Sequence, residues 1–190
     1  MRRFPVALVL AAALLPGLLG APPARADQDD PRLDRLFAKL NVTDQSNQQE
    51  IDRITGEIWE VWRESGSPGL DMKMLEGRRF MKQGILHSAL GNFDFIVKVQ
   101  PDFAEAWHKR ATVQFLIGNY QASIADIERT VALEPRHFGA FAGLGLIYLK
   151  MGEEKSALKA LERALEINPH LSGARQKVEE LRRRLKGAKL

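Results

Sequence analysis

Residues 138–171 read FGAFAGLGLIYLKMGEEKSALKALERALEINPHL, and residues 104–137 and 70–103 repeat this pattern in the same phase. A proline recurs near the end of each copy, every 34 residues: Pro101, Pro135 and Pro169. A glycine shares another position, where it lets the chain leave a helix in a left-handed conformation: Gly84, Gly118 and Gly152. The chain is therefore predicted to be largely an array of helical repeats, a kind of fold that binds other proteins along a surface.

Small and large apolar residues also recur at fixed positions of the pattern. Small side chains let two helices approach, and large apolar ones fill the space between them. The third copy has the fullest set: Phe141, Leu144, Gly145, Tyr148, Gly152, Ala157, Leu161, Ala164 and Pro169. This pattern resembles that of the tetratricopeptide repeat family over residues 70–171. The resemblance implies an all-α fold, a right-handed α-solenoid of three helix-turn-helix repeats.

Two helical segments flank the repeats in this prediction. Residues 27–69 form an acidic hairpin whose two helices each carry an apolar stripe, and we expect it to pack against the first repeat. Trp59 and Trp62 lie on its second helix, either as core anchors or as a pair that binds a partner. Residues 172–190 form a basic amphipathic capping helix. Between these segments lie the three predicted repeats: 70–103, 104–137 and 138–171.

The first 26 residues have the parts of a secretory signal peptide: two Arg, an apolar run over residues 5–19, and Ala24-Arg25-Ala26. We expect cleavage after Ala26, with an uncleaved membrane anchor as the alternative. The leader holds three Arg and no acid, so 25 Lys and Arg remain against 24 Asp and Glu, and this balance gives no argument for nucleic-acid binding. The chain has no Cys, which excludes disulfides and a lipoprotein anchor. The expected location is therefore the periplasm, as a soluble protein.

In the tetratricopeptide repeat family, the first helix of each repeat lines a concave groove. Carried over to this chain, the predicted partner-binding residues are Met74, Arg78, Met81, His108, Thr112, Phe115, Ala142, Leu146 and Leu149. From the types of these residues we expect that an apolar or amphipathic segment docks there by Met, Phe and Leu contacts, with Arg78 and His108 setting its polarity. Leu146 and Leu149 indicate a partner unless the C-terminal helix covers them. A clamp for free C-terminal carboxylates is not expected, because its positions hold other residue types: Met74, Arg78, Lys109, Gly139 and Gly143.

The sequence identifies no catalytic residue, metal site or cofactor motif. Glu134 and His137 lie together in a turn, but no third ligand is spaced to join them. The predicted function is a non-catalytic protein–protein interaction module, a periplasmic adaptor or assembly factor. The alternative is a self-associating structural protein of the cell envelope, in which the basic C-terminal end meets the acidic hairpin of another copy. A weak contact of that basic end with acidic lipid is also expected, and a nucleic-acid partner is not.

Overall fold

The computed structural model describes residues 30–187, and this part of the chain forms nine α-helices joined by short turns. The helices are α1 (Pro31–Val42), α2 (Gln48–Arg63), α3 (Pro68–Lys82), α4 (Leu86–Val99), α5 (Ala104–Ile117), α6 (Tyr120–Leu133), α7 (Phe138–Lys150), α8 (Glu154–Ile167) and α9 (Ser172–Gly187). None of these nine helices is both long enough and apolar enough to span a bilayer. The predicted leader, residues 1–26, lies outside the described residues.

Each repeat is a pair of packed helices: α3 with α4, α5 with α6, and α7 with α8. The turn inside each pair contains a glycine with positive φ, which is 75° at Gly84, 90° at Gly118 and 78° at Gly152. After Gly118 the chain turns back, and the Asn119 N–H donates to the carbonyl oxygen of Gln114 at 2.8 Å. A side chain in this left-handed conformation would be strained, which is why glycine holds the position. The prediction of an all-α repeat fold is confirmed.

Two of the repeats bring their helices together at a glycine. A Cβ atom placed on Gly145 of α7 would lie 2.5 Å from Cγ of Leu161 on α8. On Gly77 of α3 it would lie 2.8 Å from the ring of Phe93 on α4. Both distances are shorter than any ordinary van der Waals contact, so only glycine lets these helix pairs reach their native spacing.

A polar contact joins three helices of the first and second repeats. Arg110 on α5 donates through Nε and Nη2 to the carboxylate of Asp126 on α6, at 2.8 and 2.6 Å. Its Nη1 donates to Asp94 on α4 at 2.8 Å. Asp126 is buried and Asp94 is partly exposed, so the guanidinium group spans from the interior to the surface. Arg110 stands where the repeat pattern usually has an apolar residue, and this network explains the replacement.

The N-terminal hairpin, α1 and α2, does not pack against the first repeat as the sequence suggested. Its apolar stripes form one core cluster with side chains of the third repeat and the turn after it: Phe138, Phe141, Ile167 and Leu171. Leu70, Met74 and Phe93 of the first repeat belong to a different cluster. The hairpin therefore lies across the repeats and does not extend their stack.

The turn between α2 and α3 and the aromatic side chains of α2 account for this placement. Ser65 is buried, and its hydroxyl group donates to Asp71 at 2.6 Å. Gln100, at the end of α4, donates to the Ser65 carbonyl oxygen at 3.0 Å, which fixes this turn on the first repeat. From this point α2 carries Trp59 and Trp62 to the second and third repeats. Burial of these two large aromatic rings against the second and third repeats stabilises the observed placement of the hairpin.

At the other end of the stack, α9 packs its apolar stripe on the last repeat. Ala174, Val178 and Leu181 form a core cluster with Ala157 and Leu161 of α8. The opposite face of α9 is polar and exposed. A polar outer face is what a repeat array needs where stacking ends.

Candidate functional site

The inner helices α3, α5 and α7 lie side by side and form the surface on which the sequence places the groove. Of the nine predicted residues, Met74 is 2% exposed and His108 is 9% exposed, so both are buried. Leu146 is 46% exposed. The remaining six are partly exposed: Arg78, Met81, Thr112, Phe115, Ala142 and Leu149. The prediction for Met74 is wrong, because its side chain packs in the core between α3 and α4 and does not face a groove. The rest of the predicted groove is divided into a covered part and an open part.

The covered part lies beneath α2. The ring of Trp59 stacks on His108, with centroids 5.7 Å apart and an interplanar angle of 27°. Trp59 also lies against Gly139 at the start of α7, where an added Cβ would be 2.5 Å from its Cη2 atom. Trp62 stacks on His137 more closely, at 4.2 Å and 9°. The sequence predicts that His108 contacts a bound protein, but in the structure it contacts Trp59 of the same chain.

Polar contacts hold the hairpin at both of its ends. Trp62 donates through Nε1–H to the buried Glu134 carboxylate at 3.3 Å. Arg136 donates to Asp34 of α1 at 2.6 Å, and its guanidinium lies 5.0 Å from the centroid of the Phe37 ring. Near the turn between α1 and α2, two more contacts connect the hairpin to the region of α9: His170 Nε2 to the Leu40 carbonyl oxygen at 2.9 Å, and Arg175 to Gln45 at 2.9 Å.

A buried carboxylate and two histidines lie under the tryptophans. Oε2 of Glu105 is 2.9 Å from Nδ1 of His108 and 3.1 Å from Nε2 of His137. Its second oxygen lies 3.0 Å from the ammonium group of Lys109, which in turn lies 4.9 Å from the centroid of the Trp59 ring. The cluster thus joins the second repeat, the turn before α7 and the hairpin. The sequence places Glu105 three residues before His108 on one helix face, but it gave no sign that His137 would meet them.

The hydrogen bonds assign the protons in this cluster. The Ala140 N–H donates to Nδ1 of His137 at 3.0 Å and caps α7, so this nitrogen carries no proton. Nε2 of His137 then carries the proton and donates it to Glu105. A carboxylate only accepts, so Nδ1 of His108 is also a donor. Both rings therefore donate to a single oxygen of Glu105.

Burial and neighbouring charges shift the pKa values of two of these groups. Burial alone would raise the pKa of Glu105, but the charge of Lys109 and the hydrogen bonds from His108 and His137 hold it well below its usual range. Burial is the largest cause that lowers the pKa of His108 to about 3, and the nearby charge of Lys109 lowers it further. Glu105 therefore stays ionised and His108 stays neutral at physiological pH.

Glu105, His108 and His137 are also residue types that bind metal ions. One ligand atom from each lies within 4.8 Å of the others, and all three residues are buried. Binding a cation would require His137 to give up its Nε2 proton while Nδ1 still accepts from the α7 backbone. The ammonium group of Lys109, 3.0 Å from the second oxygen of Glu105, would also repel a cation. The hydrogen-bonded arrangement accounts for the proximity of these groups without an ion, and it connects the hairpin to the repeats.

The open part of the groove lies toward α9. A cavity of about 450 Å³ is lined by residues of α5, α7 and α9: Phe115, Leu146, Leu149, Lys150, Lys177, Glu180, Leu181 and Arg184. Leu149 packs in the cluster that α9 forms with α8, whereas Leu146 stays exposed. The C-terminal helix thus covers one of these two leucines in part and leaves the other open. The cavity has an apolar floor and a mainly basic rim.

Several charged residues at the two ends of the chain form ion pairs within the molecule. On the hairpin, Arg32 pairs with Asp30 and Glu64, and Arg53 pairs with Glu50 and Glu57. On α9, the basic residues pair with acids of α8 and α9: Arg182 with Glu162, Arg184 with Glu154 and Glu180, and Lys177 with Glu180. The pairs within the hairpin leave its excess of acids unchanged, so self-association through opposite charges stays a prediction.

Comparison with known proteins identifies the class. Models described as tetratricopeptide repeat match residues 74–129 and 139–171. A TPR repeat-containing protein of Rhizobium etli is 36% identical over 156 residues, which cover 82% of this chain and 76% of that protein. The chain belongs to the tetratricopeptide repeat (TPR) family. The small glutamine-rich tetratricopeptide repeat-containing protein 2 of Saccharomyces cerevisiae is 23% identical, and the match covers 70% of this chain but only 38% of that relative.

Solved structures show the same fold. The first TPR of Spaghetti (RPAP3), bound to an HSP90 peptide, superposes with a TM-score of 0.59 at 20% identity and covers 62% of this chain and 93% of that one. A crystal structure of MamA gives a TM-score of 0.57 at 25% identity, with 70% and 81% covered. The Sgt2 TPR domain of Aspergillus fumigatus gives 0.61 at 22% identity, with 65% and 83% covered.

Proposed function

We propose that this chain is a non-catalytic adaptor or assembly factor of the periplasm, which binds an apolar or amphipathic segment of a partner protein in the open part of its groove. The observation that carries this proposal is the cavity of about 450 Å³ between α5, α7 and α9. Its floor contains Leu146, which is 46% exposed although it belongs to an inner helix. An exposed apolar floor within a concave surface is typical of a docking site.

The rest of the groove supports a short docked segment. Trp59 contacts Gly139 and so covers the first half of α7. His108 on α5 is buried beneath the same tryptophan ring. A partner therefore meets the second half of these helices, at Thr112, Phe115 and Leu146. The peptide-bound TPR of Spaghetti supports the idea that this fold takes peptides, although its identity to this chain is only 20%.

Export to the periplasm is part of the proposal because of the leader at residues 1–26 and the absence of Cys from the chain. The absence of a catalytic role is also part of it. The histidines and carboxylates that the structure brings together are buried and hydrogen-bonded to one another, in a place that the hairpin covers. They serve to hold the hairpin.

The test is site-specific photocrosslinking from position 146 in cells of the source organism, followed by identification and purification of the captured protein. Binding of that protein is then measured to the chain with Phe115→Glu and Leu146→Glu. Leu116→Glu is the matched control, because Leu116 is 50% exposed on the same helix as Phe115 but does not line the cavity.

We expect the double variant to lose at least about tenfold in affinity and the control to lose little, because two charges would enter an apolar contact. All three chains should give the same circular dichroism at the temperature of the binding assay, although the double variant should melt at a lower temperature because Phe115 also packs on Tyr120 and the core cluster beside it. Equal binding by the double variant and the wild-type chain would sink the proposal. An equal loss of affinity in the Leu116→Glu control would also refute the proposal.

A further inference from the structure

The helix α3, which begins the first repeat, has an exposed face at the position where the other inner helices pack against a preceding helix. In the second repeat, Ala106 and Val113 of α5 are fully buried in the cluster formed with α3 and α4. In the third, Ala140 and Ile147 of α7 are buried in the cluster that contains Ile127 of α6. These residues occupy the same two positions of the repeat pattern. Each inner helix thus uses one face to receive the helix that precedes it.

On α3 the corresponding positions are Met72 and Arg79, and both are exposed. Leu75, which lies between them on this face, is 58% exposed, and Met72 is 66% exposed. The hairpin that precedes α3 in the chain is packed instead against Phe138 and its neighbours in the third repeat. No helix of residues 30–187 covers this face, which we call the α3 end face (Met72, Leu75, Arg79).

The shape of the α3 end face fits a helix. Its residues are spaced by three and four positions and so form one stripe along α3. At the positions of Met72 and Arg79, α5 receives α4 on Ala106 and Val113, and α7 receives α6 on Ala140 and Ile147. A helix is therefore the element that this surface accommodates twice elsewhere in the same molecule. The exposed methionine can adjust to the side chains of an incoming helix.

The charge of the surroundings selects the partner. Lys73 and Lys82 border the α3 end face, to which Arg79 itself belongs. Glu76 is the one acid of α3 near these cations, and it is paired with Lys73 at 3.1 Å. Neither Arg79 nor Lys82 forms an ion pair with a carboxylate among residues 30–187. A second copy would bring the same cations against them. The hairpin helices of a second copy carry acids, but their apolar stripes are already buried in their own core cluster.

We propose that the α3 end face is a second docking surface, separate from the groove, and that it receives an amphipathic helix of another protein with an apolar stripe flanked by Asp and Glu. The helix would continue the stack by one element, with its apolar stripe on Met72 and Leu75. Its acids would meet Arg79 and Lys82, which steers association and fixes orientation.

The probe is a synthetic, fluorescently labelled amphipathic helical peptide with a leucine stripe and Glu on both flanks. Its matched control has the same leucines with Lys in place of Glu. Fluorescence anisotropy is measured with the chain from residue 27 to residue 190, which contains every described residue. The variants are Met72→Glu with Leu75→Glu, Arg79→Glu with Lys82→Glu, and Leu146→Glu, whose side chain lines the groove cavity.

We expect the acidic peptide to bind, with at least about tenfold weaker binding in both double variants and unchanged binding in Leu146→Glu. Binding should weaken with added salt, and the basic peptide should bind at least about tenfold more weakly. The substituted residues are exposed, so the variants should melt at the wild-type temperature. Equal affinity for both peptides, or wild-type affinity in the Met72/Leu75 variant, overturns the proposal.

Two other outcomes also count against the α3 end face. Loss of peptide binding in Leu146→Glu would mean that the peptide enters the groove and would leave the groove proposal intact. A dimer seen by sedimentation, and dispersed by Met72→Glu with Leu75→Glu, would mean that a second copy covers the surface. Conversely, failure of the groove crosslinking experiment has no bearing on this proposal, because the two surfaces share no residue.

Discussion

Substituting Gly139 by Ala tests whether the hairpin is held in the groove by contact with Trp59. Gly139 is the second residue of α7, and its φ lies outside the left-handed range, so alanine fits the backbone. The new Cβ would lie 2.5 Å from Cη2 and 2.9 Å from Cζ2 of Trp59. The ring cannot swing away freely, because it stacks on His108 and meets Phe138 edge-on.

The expected cost follows from two opposing effects. An ordinary carbon contact needs about 3.4 Å or more, so the ring or the helix must move by about 1 Å, and overpacking of this size costs about 1–3 kcal/mol. Alanine in place of glycine within a helix returns about 0.5–1 kcal/mol. Gly139→Ala should therefore lower the free energy of unfolding by about 1 kcal/mol. Gly143→Ala on the same helix should raise it by about 0.5–1 kcal/mol, because its Cβ would meet only Ile127, at 3.8 Å.

The assay is urea denaturation followed by circular dichroism and by tryptophan emission, in a Trp107→Phe background so that Trp59 and Trp62 supply the signal. In Gly139→Ala the emission should shift to the red before the helical signal is lost, since the hairpin leaves the groove while the repeats stay folded. Hydrogen exchange should be faster in α2 and unchanged in α5. If Gly139→Ala is as stable as Gly143→Ala and its emission is unshifted, the proposed contact with Trp59 does not hold the hairpin.

Two further predictions concern charge. The pKa of His108 is lowered from 6.5 to about 3, so unfolded chains bind its proton first, and the free energy of unfolding should fall by about 1.4 kcal/mol per unit as the pH drops below 6.5. Because the pKa of Glu105 is also lowered, the free energy of unfolding should fall further below pH 4.5. Urea midpoints measured at pH 7, 6 and 5 should depend less steeply on pH in His108→Gln than in the wild-type chain. Asp126→Ala should lower the free energy of unfolding by about 3 kcal/mol, because Arg110 would lose the carboxylate that accepts two of its hydrogen bonds at a buried site. Asp94→Ala, at a partly exposed site, should lower it by under about 1 kcal/mol. Thermal or urea melting measures both. Equal costs would show that burial does not set the strength of this network.

The position of the hairpin gives the groove its usable length. A TPR groove that ran open along α5 and α7 would offer Glu105, His108, Gly139 and Ala142 to a partner. Here the tryptophans of α2 lie over the first half of these helices. Loss of the hairpin would thus extend the proposed docking surface, and the buried Glu105 would then face solvent.

Which residues the repeats place on each face was largely predictable. The positions of Gly84, Gly118 and Gly152 predicted the turns, because the left-handed conformation there strongly favours glycine. The recurring small and large apolar residues predicted the helix pairs, since each repeat contacts only its neighbours in sequence. Of the groove residues that the same register predicted, the structure places Phe115, Leu146 and Leu149 on one cavity, whereas Met74 and His108 are buried.

The fate of the hairpin was not predictable in the same way. Its two helices and their apolar stripes are visible in the sequence, but a stripe does not say which surface it will cover. Trp59 and Gly139 are 80 residues apart, and Glu105 and His137 are 32 apart, so no local spacing connects them. The nearest sequence signal was a glycine at a groove position of α7, where the other repeats carry larger residues.

By itself, the sequence determined that this protein is an array of three helical repeats with a helical hairpin before them and a helix after them. Periodicity and turn glycines suffice for that, because repeat contacts are local. Only the tertiary structure decided that the hairpin lies in the groove, that Glu105 meets two histidines beneath two tryptophans, and that Met72 and Leu75 stay exposed. These outcomes depend on where the best long-range packing lies, which is a property of assembled surfaces.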